Sequence, residues 1–129
     1  DVTPPSLSTV SVDGDTSSPY TAAHSSFTIV VDSDEDLPSA NPCYYSESDC
    51  SYSAMKNGNC DEDAYSCSRN SDDESRADCS LSGIGDGSYT YHVSCVDNNG
   101  NGNTADNNLD VDFTVSTCAD FLSLCSPSK

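Results

Sequence analysis

Hydrophobic and polar residues alternate along most of this chain, and each apolar run is short. Residues 26–32 put Phe27, Ile29 and Val31 on one face, the period of two expected of a strand buried on one side. Residues 88–97 repeat the pattern with Tyr89, Tyr91, Val93 and Cys95, and residues 109–115 with Leu109, Val111, Phe113 and Val115. Weaker versions occur at 6–12, with Val10 and Val12 in step, at 43–45 behind Pro42, and at 77–82 around Leu81. Helical spacing is absent until the last dozen residues. Six or seven short strands between Gly, Asn, Asp and Pro turns predict an all-β, antiparallel sandwich. From 46 to 77 the alternation fails, and this stretch is expected to be a long connection without regular structure.

The eight cysteines explain how such a connection could be tolerated. Their number is even, there is no CxxC pair, and neighbouring cysteines are too far apart for a usual zinc site. Four disulfides are therefore expected, with no free thiol, in an extracellular protein that is secreted or held at a cell surface. Cys118 and Cys125 form the natural local pair in the tail. The net charge of −18 comes largely from Asp. It repels phosphate backbones and anionic bilayers, so nucleic acid is not an expected partner. No apolar run is long enough to span a membrane, and no membrane insertion is expected. The acid reads as a solubility coat, as calcium ligands or as adaptation to salt. No signal peptide is present, so residue 1 reads as a processed start or a fragment boundary.

Several short motifs, in order, resemble bacterial immunoglobulin-like repeat domains. Asp1-Val2-Thr3-Pro4-Pro5 is similar to the D-x-T-P-P joint of such repeats, and residues 81–91 to their L-x-G-L-x-D-G-x-Y-x-Y turn and strand. Residues 97–101 resemble the D-x-x-G-N corner that follows. Cys43, Tyr45, Ser46 and Cys95 fall where one branch places C-x-Y-S and a second cysteine, and Tyr52 and Met55 also sit where that branch tends to place Tyr and Met. The resemblance covers residues 1–115 outside a cysteine-rich insertion at 58–78. It implies an immunoglobulin-like sandwich of about seven strands at 1–115, interrupted at 47–78, with a C-terminal extension at 116–129. It also implies a Cys43–Cys95 bond. Cys50, Cys60, Cys67 and Cys79 then allow three pairings, of which Cys60–Cys79 with Cys50–Cys67 is the expectation. The family is a module of surface and secreted proteins and fixes no single activity.

Two acidic stretches could hold calcium. Asp97, Asn99 and Asn101, with Gly102, match half of a calcium loop, because oxygens at alternate positions converge when the chain turns at glycine. The other reading is a Gly/Asn hairpin turn. Asp32, Asp34 and Asp36 form the second cluster, which could equally be a solvated loop. Calcium is the one cofactor the sequence suggests. Catalysis has little support: there is no G-x-S-x-G elbow, and His24 and His92 are the only histidines. Tyr44, Tyr45, Tyr52 and Tyr65 could form an aromatic surface for glycan or protein, or cover a loop short of aliphatics.

The expected function is therefore structural: a subunit or repeat of an extracellular filament, pilus-like fibre or surface array, with copies of itself as partner. Its expected contact residues are Leu7, Val10 and Val12 near the N-terminus and Phe121, Leu122 and Leu124 in the tail. The competing expectation is a calcium-dependent, carbohydrate-binding adhesin module.

Overall fold

The computed structural model describes residues 3–117. Cys118 and Cys125, expected to pair, and Phe121, Leu122 and Leu124, expected to make contacts, lie outside the described residues. The chain is mostly β. Its strands are β1 (Leu7–Val12), β2 (Tyr20–Ala22), β3 (Phe27–Ser33), β4 (Cys43–Ser46), β5 (Ala64–Arg69), β6 (Arg76–Leu81), β7 (Gly87–Cys95) and β8 (Leu109–Val115). One helix, α1 (Tyr52–Asn57), follows β4. None of the described helices is long and apolar enough to cross a membrane.

Alternation places the core as the sequence predicts. Phe27, Ile29 and Val31 of β3, Ala77, Cys79 and Leu81 of β6, Tyr91, Val93 and Cys95 of β7, and Val111, Phe113 and Val115 of β8 are all buried. Phe27 meets Phe113 edge-on at 5.5 Å, and Phe113 stacks on Tyr89 and Tyr91. Such offset and edge-on packing suits the ring quadrupoles. Val12 is completely buried, so its side chain belongs to this core rather than to a surface, while Leu7 packs against the core from its margin.

The strands form one sheet in the order β1-β3-β6-β5-β4-β7-β8-β2. Its two ends approach each other, β1 packing near β8 and β2, so the sheet is nearly closed. The expectation of a purely antiparallel arrangement is corrected by β2, which pairs in parallel with β8. β2 has only three residues and buries only Ala22 fully, too short a run for alternation to reveal.

The stretch 46–77 is also more regular than expected, for two local reasons. α1 is fixed at its start by Ser51, whose Oγ accepts the Ala54 amide, and at its end by Gly58 in the left-handed region at φ 74°. These are the usual ways of satisfying a helix's orphan backbone groups. β5 joins the sheet although Cys67 is its only buried residue.

These two elements overturn the expected pairing of four cysteines. The bonds are Cys50–Cys60 and Cys67–Cys79, alongside Cys43–Cys95. α1 turns the chain back so that Cys50 and Cys60 meet across it. β5 lies beside β6, which brings the Cys67 and Cys79 Cα atoms to 4.4 Å. Cys43 and Cys95 face each other across β4 and β7.

Candidate functional site

β5 changes partner half-way along. Residues 64–67 pair with β4, whereas Ser68 and Arg69 pair with Asp78 and Ala77 of β6. Above Cys67–Cys79 the two strands splay apart, and a cleft of about 660 Å³ opens between residues 64–66 and 80–82. Its floor is Tyr45 and Tyr91, both buried, with ring centroids 5.6 Å apart. Tyr65 stands at the rim, 5.4 Å from Tyr45 and 52% exposed. It is the only large hydrophobic side chain exposed among the described residues. Ser80, Ser82 and Ile84 complete the far wall.

The polar groups of the cleft are hydroxyls and strand backbone. The Tyr45 hydroxyl donates to the Ser80 carbonyl, tying β4 to β6 across the opening. Burial, helped by the Glu47 carboxylate and the neighbouring tyrosines, pushes the Tyr91 phenol up to about 12. Burial and then Tyr65 also raise Tyr45. Both phenols therefore stay neutral at physiological pH, and Tyr45 already gives its proton to Ser80. Flat aromatic faces, neutral hydroxyls and unpaired strand edges suit recognition of an extended or ring-shaped partner.

Of the other tyrosines in the sequence candidate set, Tyr44 also lines the cleft and Tyr52 does not. Tyr44 packs edge-on against Tyr52 at 5.5 Å, and the Tyr52 hydroxyl donates to the Asn41 carbonyl at 2.8 Å. Together they seat α1 on the sheet.

The two acidic stretches meet, and the carboxylates of Asp97, Glu35, Asp34 and Asp32 each face a partner within the chain. Asp97 is buried, and its Oδ1 accepts the backbone amides of Asn99 and Asn101, both at 2.9 Å. Its Oδ2 accepts from the Asn101 side-chain amide at 3.1 Å. Burial opposes its charge, but these hydrogen bonds outweigh burial and hold it below the usual carboxylate range. Glu35 from the other stretch lies against Asp97 and is raised, first by burial and then by the Asp97 and Asp34 charges. Asp34 accepts the Ser6 amide, Asp32 faces Arg76, and the backbone carbonyl of Asp36 accepts from Asn98. The hairpin reading thus accounts for Asp97, Asn99 and Asn101. Even the motif's glycine has a packing reason: a Cβ on Gly102 would lie 3.0 Å from that of Tyr52.

Sequence reasoning missed two buried or half-buried groups. Asn103 accepts the Cys95 amide at 2.7 Å and donates to the Pro5 carbonyl at 2.9 Å, pinning the N-terminal segment to the end of β7. His92, one of the two histidines of the sequence, has carboxylate oxygens of Asp110 and Asp49 at 2.7 and 3.8 Å from its Nδ1. No protein-family model, curated protein or solved structure matches the chain.

Proposed function

We propose that this chain is an extracellular, immunoglobulin-like structural module: a subunit or repeat of a filament, pilus-like fibre or surface array that assembles through protein–protein contacts. The splayed β5–β6 cleft carries the reading. It combines an exposed tyrosine with strand edges that no described strand covers, and such edges accept an added strand. Three disulfides fit an oxidising environment. Strand neighbours β1-β3-β6 and β4-β7-β8, linked by β5, are compatible with the immunoglobulin-like resemblance.

The partner strand in this reading is the tail of another copy. Thr117 is held by Asp86, to which its amide and hydroxyl are bonded at 3.2 and 2.9 Å, and Asp86 follows the lining residue Ile84 by two positions in the chain. The sequence beyond it carries Phe121, Leu122 and Leu124, apolar side chains of the kind an aromatic cleft takes up. β1, in contrast, already pairs with β3 of its own chain, which leaves the tail as the donor.

The oxidised full chain is expected to self-associate in light scattering and to form regular assemblies in electron microscopy. A chain ending at residue 117 and a Tyr65→Ser variant should both remain monomeric. A full-length chain that stays monomeric at high concentration overturns the assembly reading. A second reading, glycan binding, draws on the same cleft, because an exposed Tyr65 ring flanked by hydroxyls is a platform for a sugar. Tyr65-dependent signal on a glycan array from a monomeric chain would favour it.

A further inference from the structure

We infer that Asp49, His92 and Asp110 form a site for a divalent transition cation of the zinc type. The three side chains come from different parts of the chain. His92 lies on β7, Asp110 faces it directly across the β7–β8 ladder, and Asp49 reaches in from the segment after β4. Cys50, next to Asp49, is bonded to Cys60, so this segment is anchored beyond its own hydrogen bonds.

The donor geometry is that of a small coordination site. His92 Nδ1 lies 2.7 Å from Asp110 Oδ1 and 3.8 Å from Asp49 Oδ1. One ligand atom from each residue falls within 4.8 Å of the others. Tetrahedral coordination with bonds of about 2.0–2.1 Å sets donor atoms roughly 3.3 Å apart, and the two nitrogen–oxygen distances bracket that value. A plain His–Asp pair would account for Asp110 alone. It does not use the second carboxylate, which approaches the same nitrogen in a chain of net charge −18. Both carboxylates are exposed, Asp49 by 46% and Asp110 by 62%, and a cation between them would relieve the repulsion that water screens only in part. A nitrogen among the donors favours zinc-type ions over calcium, which takes oxygen ligands.

A second observation points to the same place. Asn108 donates its side-chain amide to Asp49 Oδ1 at 3.0 Å and to the Cys50 carbonyl. This is how an outer residue fixes the direction of a ligating carboxylate. The Oδ1 of the same amide is the one buried side-chain oxygen or nitrogen among the described residues without a hydrogen-bond partner. A buried acceptor left bare usually signals water or an ion. With three protein ligands, a zinc-type ion keeps a fourth position for water. The ring binds through Nδ1 as its Nε2–H tautomer, so a neutral His92 only relocates its proton.

The chain has only two histidines, so ring resonances report the site directly, with exposed His24 as internal reference. After chelator treatment and dialysis, one equivalent of zinc should shift the His92 ring signals and leave those of His24 in place. In calorimetry, His92→Gln should weaken zinc binding by at least about tenfold, and Asn108→Ala by roughly tenfold, with circular dichroism unchanged in both. The inference is overturned if zinc moves both histidines alike or binds His92→Gln as tightly as the unaltered chain. It is also overturned if calcium matches zinc in affinity without moving His92.

Discussion

The β7–β8 hairpin and the β5 strand belong to the same sheet but are held in it by different means. β7 and β8 pair in continuous register from Gly87 opposite Val115 to Val93 opposite Leu109, and their inner face is a run of aromatic and branched side chains. β5 divides its pairing between two strands and buries only Cys67. Hydrophobic burial is roughly proportional to apolar area removed from water, so β7–β8 supplies its own stability and β5 does not. Cross-strand bonding through Cys67–Cys79 takes the place of a buried face. A strand held by its ladder pairs and one covalent link can sit at a splayed edge without an apolar face of its own. The cleft exists because of that substitution.

The sharpest way to break this contrast is to remove the bonds one at a time. Replacing Cys43 and Cys95 with Ala opens a loop with a sequence separation of 52 and should cost about 4 kcal/mol in a denaturant titration, in the chain-entropy account. Replacing Cys67 and Cys79, with a separation of 12, should cost about 3 kcal/mol. The location of the damage matters more than its size. Hydrogen exchange should accelerate across residues 64–69 in the second variant while β7 and β8 stay protected. Uniform loss of protection in both variants would mean that β5 is no less self-sufficient than the hairpin.

A smaller effect probes the joint between the two regions. Gly102→Ala forces a Cβ against the Tyr52 Cβ and ring, and overpacking of this kind costs typically about 1–3 kcal/mol. A thermal melt should register the loss. In a chain that already carries Tyr52→Gly, which removes both the Cβ and the ring, the same Gly102→Ala change should cost much less. If the two substitutions simply add, α1 is not braced by the 97–103 turn.

The smallest effect depends on pH. Glu35 has a raised carboxyl in the folded state, so its contribution to stability is present below its unfolded value and is lost as pH rises through the folded one. Asp97 is lowered, so its contribution is present above its unfolded value and is lost as pH falls through the folded one. Glu35→Gln should therefore raise stability above about pH 5 and have little effect near pH 3, where an ordinary Glu is already protonated. A gain that is equal at both pH values would show that charge repulsion from Asp97 and Asp34 is not its source.

The same contrast explains what could be read from the sequence. β3, β7 and β8 were legible because alternate residues are apolar and buried. β5 was not, because Ser66 and Ser68 flank a single buried cysteine and nothing else on the strand repeats. α1 was hidden for a related reason: Met55 is its only buried residue, and its limits come from Ser51 and Gly58 rather than from an apolar stripe. Without those elements the pairing of Cys50, Cys60, Cys67 and Cys79 could not be worked out from spacing. Among the cleft residues, Tyr45 and Tyr65 stood out as aromatics in a polar stretch, but Tyr91 looked like core, which it also is. Asp49, His92 and Asp110 are far apart in sequence. Only strand register brings the last two together, and only the cross-linked segment after β4 supplies the first.

The parallel β2–β8 pair has a mechanical consequence. Once a pull from the two ends has drawn β1 off β3, β2 and β8 are dragged past each other along their length. Tyr20, Thr21 and Ala22 then share the load with Phe113, Thr114 and Val115 at once, in shear, instead of opening one bond at a time. Behind that clamp, the Cys43–Cys95 bond keeps the residues between those two cysteines out of the stretch. A thread built from such units would stretch little before it broke.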